Sequence, residues 1–137
     1  MTTLLSTEQL SNAASLLEKR FPLSALWLFG SEARGQAGPD SDVDLAALFS
    51  RPVALEQLLT VRLDLEGLLG RSVDLVDLRK ASPIVGRQVV RHGRLLLDRD
   101  PVDRHVFSML LPSRYVDLKI SRRVAEHALI EAVHDRR

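Results

Sequence analysis

The chain has 137 residues, enough to bury one hydrophobic core without disulfide or metal staples. Its 19 basic and 18 acidic side chains leave a net charge of +1, so there is no overall basic excess of the kind that marks a nucleic-acid or membrane-surface binder, and direct nucleic-acid contact is not expected. The absence of cysteine excludes disulfides, thiolate zinc sites and cysteine nucleophiles and suits a reducing cytoplasm. No segment approaches the roughly 18 consecutive apolar residues of a membrane span, and Met1 to Leu10 does not read as a targeting signal.

In chain order, Ser6 followed by Gln9 has the spacing of a capping box, and Leu10, Ala13, Ala14 and Leu17 repeat at helical spacing, which predicts a first helix ending near Lys19. "LSALWLF", bounded by Pro22 and Gly30, reads as a buried strand with Trp27 in the core. Val43 to Phe49 is the second strand. The segment from Arg51 places Leu55, Leu58, Leu59 and Leu63 on one helical face and stops at Gly70. "SVDLVDL" is a third strand. Ser82 and Pro83 then supply an N-cap and a first-turn proline for a helix to about Arg91, and "RLLLD" is a short last strand. The remainder from Pro101 reads as helical with a break near Leu111, ahead of Pro112. Strands mixed with helices, without repeats or a polar linker, predict an α/β (α+β) fold in one domain over 1–137, with a core of about 5–100 and a helical extension of about 101–137.

Charge is unevenly spread. Residues 1–78 carry six basic and eleven acidic side chains, whereas residues 79–99 carry six basic ones and only Asp98 as an acid. An acidic front is suited to a divalent cation, and a basic segment to a polyanion. Arg87, Arg91 and Arg94 serve equally well to solubilise a helix, and His92, His105, His127 and His134 lack the spacing of a metal site. Tyr115 reads as a packing residue.

The stretch "GSEARGQAGPDSDVD" carries the chemistry. Residues two apart project from the same side of a strand, so Asp42 and Asp44 present neighbouring carboxylates, whose repulsion a shared hard cation, most simply magnesium, would relieve. A third carboxylate would come from Asp74 or Asp77. Asp74, between Val73 and Leu75 inside the apolar run, needs a partner more than Asp77 does at the strand's end, and is chosen. Gly30 and Ser31 fall where a strand gives way to a helix start, a place where backbone N–H groups favour phosphate, and Arg34 follows within reach of phosphate oxygens. The P-loop pattern is absent.

An apolar strand, Gly30-Ser31, ten residues, Asp42-Val43-Asp44 opening a second strand, and Asp74 in a third resembles the DNA polymerase beta-type nucleotidyltransferases. The short length is similar to that of minimal nucleotidyltransferase antitoxins, which are paired with HEPN-domain toxins. This resemblance implies a small nucleotidyltransferase fold, a short mixed β-sheet packed by helices. It implies that Gly30 and Ser31 contact the triphosphate of ATP, that Asp42, Asp44 and Asp74 hold two Mg2+ ions, and that AMP is transferred to a tyrosine hydroxyl of a HEPN toxin. The alternatives are neutralisation of the toxin by binding alone and adenylylation of a small molecule such as an aminoglycoside.

Overall fold

The computed structural model describes residues 4–38, 41–113, 123, 124 and 127. Along the chain run α1 (Thr7–Arg20), β1 (Leu23–Phe29), α2 (Gly30–Ala33), β2 (Val43–Phe49), α3 (Leu55–Leu69), β3 (Val73–Asp77), α4 (Pro83–His92) and β4 (Arg94–Asp98). A further helix, α5, covers residues 101–113. The four strands form one mixed sheet in the order β3-β2-β1-β4, with β1 antiparallel to both β2 and β4, and β2 parallel to β3.

Local chemistry accounts for the element boundaries. The Ser6 hydroxyl accepts from the Gln9 N–H at 3.1 Å while Gln9 Oε1 accepts from the Ser6 N–H at 2.8 Å, the reciprocal capping box expected. Ser82 caps α4 through the Val85 N–H at 3.3 Å, with Pro83 at the first helical position. Both faces of the sheet are covered, which is why β1 reads as a continuous apolar run rather than an alternating one. On one face Leu26, Leu28, Val43, Leu45 and Ala47 meet the buried stripes of α1 and α3. On the other, Ala25, Trp27, Ala46 and Leu48 meet Val89 of α4 and Phe107 and Leu111 of α5. Among the described residues no helix is long and apolar enough to cross a membrane.

Two expectations are corrected. The inward face of α3 is Val61, Leu65 and Leu69, with Leu58 only partly buried, whereas Leu55, Leu59 and Leu63 of the expected face are exposed by 66, 44 and 59%. Leucines surround this helix, so the sequence offers two competing stripes. The exit selects between them: Gly70 turns the chain into β3 in the left-handed conformation, φ 68°, and the residue before it, Leu69, points into the core. The second correction concerns Pro112, which does not break α5 at Leu111, because the helix runs on to residue 113. Leu111 and Phe107 pack over Gly86 of α4, where an added Cβ would lie 2.9 Å from Leu111 Cδ2. That burial offsets the proline's missing hydrogen bond. Tyr115 and His134 lie outside the described residues; His92, His105 and His127 are exposed.

Candidate active site

The sheet register builds a row of three side chains. Phe29 at the end of β1 pairs with Asp44 near the start of β2, and Asp44 pairs with Asp74 in β3. Strand alternation places Asp44 and Asp74 on the face shared by Ala46 and Leu48. Asp42 stands two residues before Asp44, exposed at the approach to the strand.

Asp77 is three residues from Asp74 and so faces the opposite side of the sheet, where it is buried and its Oδ1 accepts from the Arg79 N–H at 3.2 Å. Asp74 is exposed and Asp77 buried, which reverses the expectation that Asp74, inside the apolar run, has the greater need of a partner. What places Asp74 beside Asp44 is strand parity and the parallel register.

Gly30 opens α2 at φ 71°, a backbone conformation that other residues enter only with strain. A Cβ on Gly30 would fall 2.1 Å from Asp44 Oδ2, so the carboxylate occupies the space that a side chain would need. Phe29 is the N-cap residue of α2 and has no side-chain acceptor to close the first turn. Ser31 is half-buried in that turn, and its carbonyl accepts from the Gln36 N–H at 2.9 Å. Arg34 ends α2 with an exposed side chain that is steered by Gln36 Oε1 at 3.4 Å.

The electrostatics tie these groups together. The Asp44 carboxyl is raised above its ordinary value of 3.8, first by burial, then by the Asp74 and Asp42 carboxylates, with Arg34 acting in the opposite direction. The other three predicted charged residues therefore all act on Asp44. Three carboxylates supply hard oxygen donors of the kind magnesium takes. Among the described residues no three such groups already converge as a metal cage, so a bound ion would have to draw them together.

Two further residues hold this arrangement, and the sequence reading missed both. Glu32, between Ser31 and Ala33, is buried and pairs with Arg71 at 2.9 Å. Arg71 also donates from Nε and Nη2 to the carbonyl of Ser41, the residue before Asp42. Opposite charges 39 positions apart carry no pairing signal in a single sequence.

Comparison with known proteins agrees with this geometry. The family model described as polymerase beta, nucleotidyltransferase matches residues 11–102. Protein adenylyltransferase MntA of Shewanella oneidensis is 33% identical over 108 residues, covering 78% of this chain and 77% of that protein. A crystal structure of a toxin-antitoxin with AMP-PNP contains a chain that matches with a TM-score of 0.77 at 29% identity, over 92% of this chain and 99% of that one. A structure of the tri-AMPylated Shewanella oneidensis HEPN toxin in complex with MNT antitoxin matches with a TM-score of 0.72 at 27% identity, over 91% of this chain and 99% of the matched one. The carboxylate row beside a glycine turn, the mixed sheet beneath it and these likenesses agree: the chain belongs to the polymerase beta-type nucleotidyltransferase family, in its MntA-like minimal branch.

Proposed function

We propose that the protein is an antitoxin that transfers AMP from ATP to a tyrosine hydroxyl of a HEPN-domain toxin and so silences the toxin's ribonuclease activity. The observation that carries the reading is the seating of the Asp44 carboxylate against Gly30, with Asp74 beside it in register, because this joins a phosphate-binding turn to a cluster of hard-metal ligands. The relatives' names and complexes support the acceptor: an adenylyltransferase, an AMP-PNP complex and an AMP-modified HEPN toxin.

In this reading Gly30 and Ser31 receive the triphosphate through backbone N–H groups and the serine hydroxyl, and Arg34 balances its charge. Asp42, Asp44 and Asp74 would hold two magnesium ions, which supply charge stabilisation at the entering and leaving oxygens. The tyrosine oxygen forms a bond to the α-phosphorus as the bond to the bridging oxygen of the β-phosphate breaks. Pyrophosphate leaves, and the phenolic proton passes to the carboxylate cluster. No nucleophile on this chain is needed, in keeping with a site of serine, arginine and aspartates.

The toxin would meet the protein on α5, whose buried Phe107 and Leu111 are matched by exposed Val102, Val106, Met109 and Leu110 on its outer side. The test is incubation of the protein with its neighbouring toxin, ATP and magnesium, followed by intact-mass analysis and an RNA-cleavage assay. The expected result is one or more AMP additions on a toxin tyrosine, absent with Asp42→Asn, together with loss of cleavage. Equal suppression by wild type and Asp42→Asn at stoichiometric ratio, with no mass change, would replace catalysis by neutralisation through binding.

A further inference from the structure

Glu32 and Arg71 form an ion pair whose side chains are only 2% and 11% exposed, in a protein whose other described ion pairs are far more open to solvent. Such a pair gains little net stability over apolar residues of the same volume, since both charges must be taken out of water. Its contacts point to a different use. Arg71 Nη1 holds Glu32 Oε2 at 2.9 Å, while Nε and Nη2 grip the Ser41 carbonyl at 3.2 and 2.9 Å. The second carboxylate oxygen of Glu32 accepts from the Leu5 N–H, just ahead of α1.

Glu32 belongs to α2, which has four residues and begins with Gly30 and Ser31. Ser41 is joined directly to Asp42. One guanidinium at the start of β3 therefore grips both halves of the site: the phosphate-binding turn through Glu32 and the carboxylate strand through Ser41. A helix of one turn has no long body to fix its position, and between it and Asp42 the chain passes through the turn-rich "GQAGPDS" segment. The side-chain bridge supplies the missing constraint.

We infer that Glu32 and Arg71 are a positioning couple for adenylyl transfer, setting the separation between the nucleotide's phosphates and the Asp42/Asp44 carboxylates. The inference rests on the proposed transfer reaction. It depends on the fork of arginine, because the ammonium of lysine, though it has three N–H donors, lacks the fixed planar spacing that reaches Glu32 from one nitrogen and the Ser41 carbonyl from two others.

The experiment compares Arg71→Lys and Glu32→Gln in the full chain, with the toxin as acceptor, measuring kcat, KM for ATP and melting temperature. Arg71→Lys keeps the positive charge opposite Glu32, whereas Glu32→Gln keeps a hydrogen-bonding group but leaves the Arg71 guanidinium without its counter-charge, so the melting temperature separates loss of fold from loss of rate. Leu65→Ala is the control, since Leu65 is buried in the core on the sheet face opposite Asp44 and Asp74. Arg71→Lys is expected to lower kcat by about tenfold or more while KM for ATP stays within about twofold, the pattern of a misplaced rather than an empty site. The double variant should be little worse than the single, as for two residues acting as one unit. Leu65→Ala should leave kcat within about twofold even where it lowers the melting temperature as much. If kcat simply follows melting temperature across all variants, or Arg71→Lys is as fast as wild type, the couple is structural only and the inference falls while the function stands. A wild-type protein that transfers no AMP would overturn both.

Discussion

Gly30→Ala separates backbone strain from active-site geometry. At φ 71° a Cβ costs about 1–2 kcal/mol relative to glycine. With an unfolding entropy of about 2.1 cal/mol/K per residue, a chain of 137 residues loses about 3–4 °C of melting temperature per kcal/mol, so the expected drop is about 4–7 °C. The larger effect is local. The new Cβ would lie 2.1 Å from Asp44 Oδ2, and ordinary contact begins at 3.4 Å, so the carboxylate must retreat by about 1.3 Å. A displacement of about 1 Å at a reacting centre costs on the order of a hundredfold in rate. Thermal melting followed by circular dichroism, and AMP transfer measured at saturating ATP, therefore give two independent numbers. Gly35→Ala calibrates them, because Gly35 has the same φ of 71° but nothing within 4 Å of its would-be Cβ. It should melt lower by a similar amount and transfer AMP at close to the normal rate. A Gly30→Ala protein that retains its rate within about tenfold, or a Gly35→Ala protein equally inactive, would refute the assignment of Asp44 to the reaction.

Asp44→Asn should abolish transfer yet stabilise the metal-free fold. The Asp44 carboxyl is raised in the folded state, so its ionised form opposes folding at neutral pH; the advantage of the variant should vanish as pH falls below the ordinary 3.8, as chemical denaturation across pH would reveal. Asp103 has the opposite sign: its hydrogen bond from Ser24 and its pairing with Arg79 hold its carboxyl below 3.8, so its contribution is present above 3.8 and lost as pH falls through the lowered value. Asp103→Asn should accordingly flatten the acid limb of the stability curve. Ser31→Ala should weaken ATP binding by about 1.5–3 kcal/mol, roughly tenfold to a hundredfold by titration calorimetry, without altering the metal requirement. In α3, Leu65→Ala should cost about 2–5 kcal/mol in urea denaturation, while Leu63→Gln on the exposed side should fall within about 0.5 kcal/mol of wild type.

The parts of this fold that were legible in the sequence are those in which one residue's neighbours in the chain decide its fate. Ser6 and Gln9 cap each other locally, and β1 and β2 are recognisable because burial on both faces leaves few polar positions between Leu23 and Phe49 other than the loop. Gly30, Ser31, Asp42 and Asp44 stand out by their spacing, and the fold sets Asp44 against Gly30. The orientation of α3 was not legible, since Leu55, Leu59 and Leu63 repeat as regularly as Val61, Leu65 and Leu69, and only the exit through Gly70 selects the inward set. The choice of Asp74 came out beside Asp44 for a reason that hydrophobicity does not carry, the parallel register of β2 and β3. Glu32 and Arg71 were invisible because each resembles a solvated charge until the loops close.

The strand order β3-β2-β1-β4 also bears on the timing of assembly. Pairings between strands distant in the chain are slow to form, because loop closure is costly before the contacts reward it. β1 and β2 are joined by a short connection, and β3 follows after a single helix, whereas β4 must return past all of them to pair with β1. The expected order is β1 with β2, then β3, then β4 and α5. Gly30, Asp42, Asp44 and Asp74, together with Glu32 and Arg71, all lie on or beside the elements that pair first. Among the described elements the apolar flank of α5 joins after these pairings, so the carboxylate row and the glycine turn beside it are assembled before that flank is in place.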